Sequence, residues 1–195
     1  MIAETADWHA HWLPPALLRL LERRSEAPRV VRLHGVPHLQ AGRLTLPLGP
    51  VMVDLAARQD LLERVGISWQ MLSLSSLWNV DNLPATEALP LVRAFNDGTA
   101  QAVRASSQTF GGLAALPLQD LQAAAVELRR ARAAGLRGAI LPAEALATLS
   151  AARELAPLLE EADQLGAHLF IHPGYMRVPV PPTRMRTTGG RGGSC

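Results

Sequence analysis

An α/β fold built on a parallel sheet is the architecture that the sequence predicts, on three observations. Short, nearly continuous apolar runs alternate with longer stretches of helical periodicity. Gly66, Gly135 and Gly166 each close a helical stretch, as glycine does at a left-handed helix end. The apolar runs read as strands buried on both faces, which is the habit of parallel sheets covered by helices. Units of this kind wind right-handed from strand to strand.

The first strand spans Ala6-Asp7-Trp8-His9-Ala10-His11, and Leu13-Pro14-Pro15 stops it because proline has no N–H for a ladder. Pro14-Pro15 also opens a short helix through Ala16 to Arg24. Residues 28–50 hold two short extended runs, Val30 to Leu33 and Arg43 to Leu46, around Gly35, Pro37 and Gly42; they read as a small β excursion. Asp54 is placed to cap a helix running to Gly66, and Ile67 to Leu74 is the second strand. A helix over about Thr86 to Ala105, a strand from Phe110 to Leu116 and a helix from Leu118 to Ala134 follow. Arg137 to Leu141 is the fourth strand of the series, Ser150 is expected to cap the next helix, and Ala167 to His172 is the fifth strand, stopped by Pro173-Gly174. Five such strands are too few to close an eight-stranded barrel, which takes about 250 residues, so the sheet is either open or a barrel that stops partway.

Composition narrows the function. Four of the 19 basic residues, all arginine, fall in residues 176–195, which hold no acid; the remaining 15 face 17 acids, so the first 175 residues are net −2. A mildly acidic body is a poor nucleic-acid surface despite the overall pI near 9.4. Residues 1–175 are expected to form one domain, and the Arg-, Gly- and Pro-rich residues 176–195 a disordered tail, since they can bury too little apolar surface to offset ordering. The single cysteine, Cys195, suits a reducing cytoplasm. No signal-peptide pattern opens the chain, and no apolar run approaches the roughly 18 residues of a membrane helix.

Chemistry concentrates at two strand ends. Asp7, His9 and His11 recur at every second position, so an extended strand projects them from one face, and two neutral imidazoles there form a workable pair of metal ligands. His172 ends the fifth strand as His9 and His11 end the first, which brings all three to the C-terminal rim, where α/β folds place their sites.

Asp7-Trp8-His9-Ala10-His11-Trp12-Leu13-Pro14 resembles the opening Asp-x-His-x-His-x-x-Pro of the amidohydrolase superfamily, and within it the aminocarboxymuconate-semialdehyde decarboxylase branch of amidohydrolase family 2. Asp54 to Ser73, Phe95-Asn96-Asp97 with Phe110 to Pro117, and Leu169 to Pro173 are similar to further segments of that branch, so the resemblance spans about residues 4–175. It implies a (β/α)8 TIM-type barrel, of which this chain holds about five βα units. It also implies that His9, His11 and His172 ligate a divalent metal, zinc before manganese, which polarises a substrate or lowers the pKa of a bound water. The implied activity is a metal-dependent decarboxylation (carboxy-lyase) or hydrolysis of a small carboxylic acid. The family's general acid–base histidine and its aspartate ligand have no matching segment here, so no catalytic residue is assigned, and a catalytically incompetent fragment of such an enzyme is the alternative expectation.

Arg58 reads either as a carboxylate clamp for substrate or as a surface helix arginine. Trp78 and Asn79 follow the second strand and are candidates to line the pocket. Asp7 is expected behind the ligands, orienting a histidine. His34 and His38 read as exposed loop residues, and His168 as core packing. The expected partner is a small carboxylic acid, with no nucleic acid or membrane; a homo-oligomer is compatible with the reading.

Overall fold

The computed structural model describes residues 5–42 and 44–174. The chain begins with β1 (Ala6–His11), and Pro15 starts α1 (Pro15–Glu22), whose buried Leu17 and Leu21 face the sheet. The β excursion is larger than expected. β2 (Arg29–Leu33), β3 (Val36–Ala41) and β4 (Leu44–Pro47) form an antiparallel three-stranded sheet in that order. The middle strand escapes the sequence pattern because Pro37, His38 and Gln40 interrupt its apolar run.

A single helical turn, α2 (Pro50–Val53), precedes α3 (Leu55–Val65). The α3 caps are the expected ones: Asp54 Oδ1 accepts from the Ala56 N–H at 2.8 Å, and Gly66 closes the helix in the left-handed region at φ 73°. Then come β5 (Trp69–Ser73), a 3₁₀ turn at Ser76–Trp78, α4 (Ala85–Ala105), β6 (Phe110–Ala114), α5 (Leu121–Ala133) and β7 (Gly138–Pro142). The next helix is capped by Thr148 rather than Ser150. Its hydroxyl accepts from the Ala151 N–H at 3.1 Å, and the helix is broken at Leu155 into α6 (Leu149–Glu154) and α7 (Ala156–Gln164), the proline at 157 starting a new helical run. β8 (His168–His172) follows.

The five strands β1, β5, β6, β7 and β8 pair in parallel in that spatial order, each βα unit laying its strand beside the one before. Helices cover one face. A side chain at Gly112 would run into Thr99 of α4 and into Leu136, so the residues in register with Gly112, such as Leu72, face the helices. Gly111, Leu113 and their register partners line the other face. That face is concave: β1 and β8 are the two edges of the sheet, yet their side chains meet, with the His9 and Phe170 rings 5.6 Å apart. The sheet is therefore curled into a partial TIM-type barrel rather than laid flat.

Two apolar clusters hold helices to strands. One gathers Leu13, Leu17 and Leu21 with Leu72, Val92 and Phe95; the other gathers Leu116, Leu128, Leu136, Leu141 and Leu158. Asn96 pins α4 to the end of β6, its amide donating to the Ala115 carbonyl at 3.0 Å and its Oδ1 accepting from the Ala115 N–H at 2.9 Å. Buried Glu127 of α5 accepts from the same amide at 2.7 Å. No helix among the described residues is long and apolar enough to cross a membrane. The expected disordered tail, residues 176–195, lies outside the described residues.

Candidate metal centre

β1 does not run as a regular strand. Asp7 pairs with Gln70 and Ala10 with Leu72, so Trp8 and His9 together oppose the single residue Met71. This bulge shifts the face of everything before it. Asp7 turns to the helix side beside Gln70, whereas His11, in register with Ser73, faces the concave side. The common face that alternation assigns to Asp7, His9 and His11 is thereby split, and only the two histidines share it.

His172 reaches them from the far edge. The Nε2 atoms of His9, His11 and His172 lie 3.0 Å from one another, a triangle closed by side chains from the first and last strands of the sheet. His172 is buried, 4% exposed, His11 is half-buried and His9 is open to solvent.

Neighbouring groups set the tautomers. The Ser73 hydroxyl donates to the Ala10 carbonyl at 3.2 Å, so its oxygen is left to accept from the His11 Nδ1–H at 3.1 Å. The Pro173 carbonyl can only accept, so His172 donates to it from Nδ1 at 2.5 Å. In both rings the proton is on Nδ1, and Nε2 carries a bare lone pair aimed into the triangle. Burial pushes the His11 imidazolium down to about 3, with the neighbouring His172 and His9 adding to the shift. Burial lowers His172 as well. Neutral rings converging their lone pairs repel one another unless a cation sits among them, so the donor set fits a divalent metal.

Trp78, buried, sets its ring 5.8 Å from that of His11, edge-on, and so walls the triangle on the β5 side. Asn79 caps the 3₁₀ turn in the left-handed region at φ 61°, its Oδ1 accepting from Asn82.

Arg58 is not a surface arginine. It is 6% exposed and donates from Nη1 to Gln70 Oε1 at 2.8 Å and from Nη2 to the His11 carbonyl at 2.5 Å. Burial lowers its guanidinium to about 10, against the opposing pull of Asp7, so it is charged at neutral pH. Its donors point at the back of β1, on the helix side. Asp7 accepts from the Gln70 amide at 2.6 Å and from the His9 backbone N–H at 2.9 Å.

His168 shares the concave face with His172 but is exposed at the start of β8, which corrects the expectation of core packing. His34 sits in the turn between β2 and β3, and His38 is a strand residue of β3 rather than a loop residue.

One buried acid at the strand ends has no signal in the sequence. Asp81 is 8% exposed, its Oδ1 has no partner among the described residues, and it borders a cavity of about 10 Å³ shared with Ser75, Ser76 and Ile140.

No protein-family model matches the chain. The curated protein 2-amino-3-carboxymuconate-6-semialdehyde decarboxylase of Dictyostelium discoideum is 36% identical over 91 residues, 46% of this chain and 25% of that protein. The crystal structure of apo IDCase from Metarhizium anisopliae superposes with a TM-score of 0.76 at 21% identity, over 89% of this chain and 51% of that one. A dihydroxybenzoic acid decarboxylase from Polaromonas, solved with manganese and the inhibitor 2-nitroresorcinol, gives a TM-score of 0.63 at 22% identity, over 89% and 50%. This chain thus spans about half the length of the solved structures that it matches and a quarter of that curated relative. At such identities the structural matches establish the shared fold. Together with the decarboxylase sequence match, they bear out the resemblance to the amidohydrolase family 2 proteins of the aminocarboxymuconate-semialdehyde decarboxylase branch.

Proposed function

We propose that His9, His11 and His172 bind a divalent metal, zinc or manganese, and that the chain carries this part of a metal-dependent decarboxylase or hydrolase of a small carboxylic acid. The observation that supports the reading is the Nε2 triangle, into which the bare lone pairs of His11 and His172 converge. Manganese in the Polaromonas decarboxylase favours a hard divalent ion as an alternative to zinc, and the curated relative favours loss of CO2 over hydrolysis.

A divalent ion supplies Lewis acidity, polarising a substrate oxygen or acidifying a water. The chain's own residues do the rest. Ser73 and the Pro173 carbonyl hold two rings in the metal-binding tautomer, and Trp78 packs edge-on against the His11 ring. His9, the exposed member, marks the side open to a substrate. The partner in this reading is a small aromatic or dienoic acid, and the compartment is the reducing cytoplasm.

The test is metal content. Protein stripped with chelator and reloaded takes up close to one zinc or manganese per chain by elemental analysis, and His9→Ala or His172→Ala loses it. Stripped wild-type protein that takes up no metal, or variants that load like wild type, would falsify the reading. Release of CO2 from dihydroxybenzoates or aminocarboxymuconate semialdehyde by the loaded protein separates decarboxylase from hydrolase.

A further inference from the structure

The back of the metal strand carries a second assembly. Resting on the metal reading above, we propose that Asp7, Gln70 and Arg58 form a positioning relay that holds the β1 bulge in the one shape that aims His9 and His11 at His172.

The bulge creates the need. Inserting an extra residue disrupts the ladder locally and leaves main-chain groups without their regular partners, at a cost wherever water cannot reach them. One side chain answers it within the bulge, and a second takes up a main-chain carbonyl of β1 two residues on. Asp7 Oδ1 takes the N–H of His9 at 2.9 Å, and Arg58 Nη2 takes the C=O of His11 at 2.5 Å. Gln70 joins the two ends: its Nε2 donates to Asp7 Oδ2 at 2.6 Å and its Oε1 accepts from Arg58 Nη1 at 2.8 Å. The chain of contacts therefore runs from the backbone of one metal ligand to the backbone of the other, through three side chains on the helix side.

The order of donors and acceptors is not interchangeable. An amide at position 70 is the side chain that can donate to a carboxylate at one end while accepting from a guanidinium at the other. Arg58 reaches two acceptors with its planar fork, which a lysine ammonium on a single stem cannot reproduce. Arg58 and Gln70 are both buried, so the relay is exchanged against few waters. None of the three side chains is among the atoms that converge on the triangle; they act through the strand, as positioning residues.

The directionality supplies the experiment. Gln70→Glu sets a second carboxylate against Asp7 and breaks that link while keeping Arg58. Adding Asp7→Asn restores the pattern: the new amide donates to the carboxylate introduced at position 70, and its oxygen still accepts from the His9 N–H. Metal dissociation constants are measured by calorimetry with zinc and manganese, and the cobalt-loaded protein is followed by its visible spectrum, with circular dichroism reporting folding. Gln70→Glu is expected to weaken metal binding about 10- to 100-fold and to shift the cobalt band. The double variant returns to within about threefold of wild type with the wild-type band. Arg58→Lys, the gentler change, is expected to fold and to weaken binding about 10-fold, and it carries the test if Gln70→Glu fails to fold. A folded Gln70→Glu or Arg58→Lys with wild-type affinity and spectrum overturns the relay, as does a double variant no better than the single. Wild-type protein that binds none of the metals overturns the metal site itself, so the two failures are told apart.

Discussion

Asp81 shows what a single residue contributes beyond packing. Burial, with the nearby Glu144 charge adding to it, pushes its carboxyl up to about 7 from an ordinary value near 3.8. The folded chain therefore keeps a proton that the unfolded chain releases, and stability falls as pH rises from about 4 through about 7. Asp81→Asn removes that dependence. Urea midpoints at pH 5 and pH 8 are expected to lie closer together in the variant, and the variant to be the more stable at pH 8 by about 1–4 kcal/mol. An unchanged spread between the two pH values contradicts the assignment. Sequence reading has no route to this acid, because nothing in Val80-Asp81-Asn82 separates a buried carboxyl from a loop one. The histidines are legible for the opposite reason: three residues of one uncommon type at strand ends follow from local pattern alone. Arg58 is half legible. Its position on a helix follows from the pattern, but which face the helix buries depends on the strand behind it.

At the scale of elements, β1 and β8 make the site, and each needs a neighbour to hold it. A Cβ at Gly138 would overlap the backbone of His168, so β7 and β8 approach closely only because position 138 has no side chain. Gly138→Ala is expected to push β8 outward, cost about 1–3 kcal/mol in chemical denaturation, and weaken metal binding through His172. A variant with wild-type stability and affinity would show that β8 can shift without disturbing the triangle. Most elements are readable from apolar runs, Asp54 and Gly66 caps and proline stops. The misses have local causes. Thr148 outcompetes Ser150 as a cap because it stands one residue before the helix. The bulge in β1 is invisible to alternation, which assigns Asp7 to the face of His9 and His11, and only pairing with β5 reveals the slip.

For the whole molecule, the parallel sheet of five strands follows from the alternation of strands and helices in the sequence, whereas the sequential strand order comes from the structure. Curvature does not follow. Apolar runs specify a sheet buried on both faces, equally suited to a flat or a curled one, and curl is what brings the two edge strands' histidines within 3.0 Å. In our proposal this closure makes a three-histidine metal site, and X-ray absorption spectroscopy of the metal-loaded protein reads its ligands out. The predicted result is three imidazole nitrogens on the metal at about 2.0–2.1 Å for zinc, falling to two in His172→Ala. A spectrum with oxygen scatterers alone, or one unchanged by His172→Ala, contradicts it.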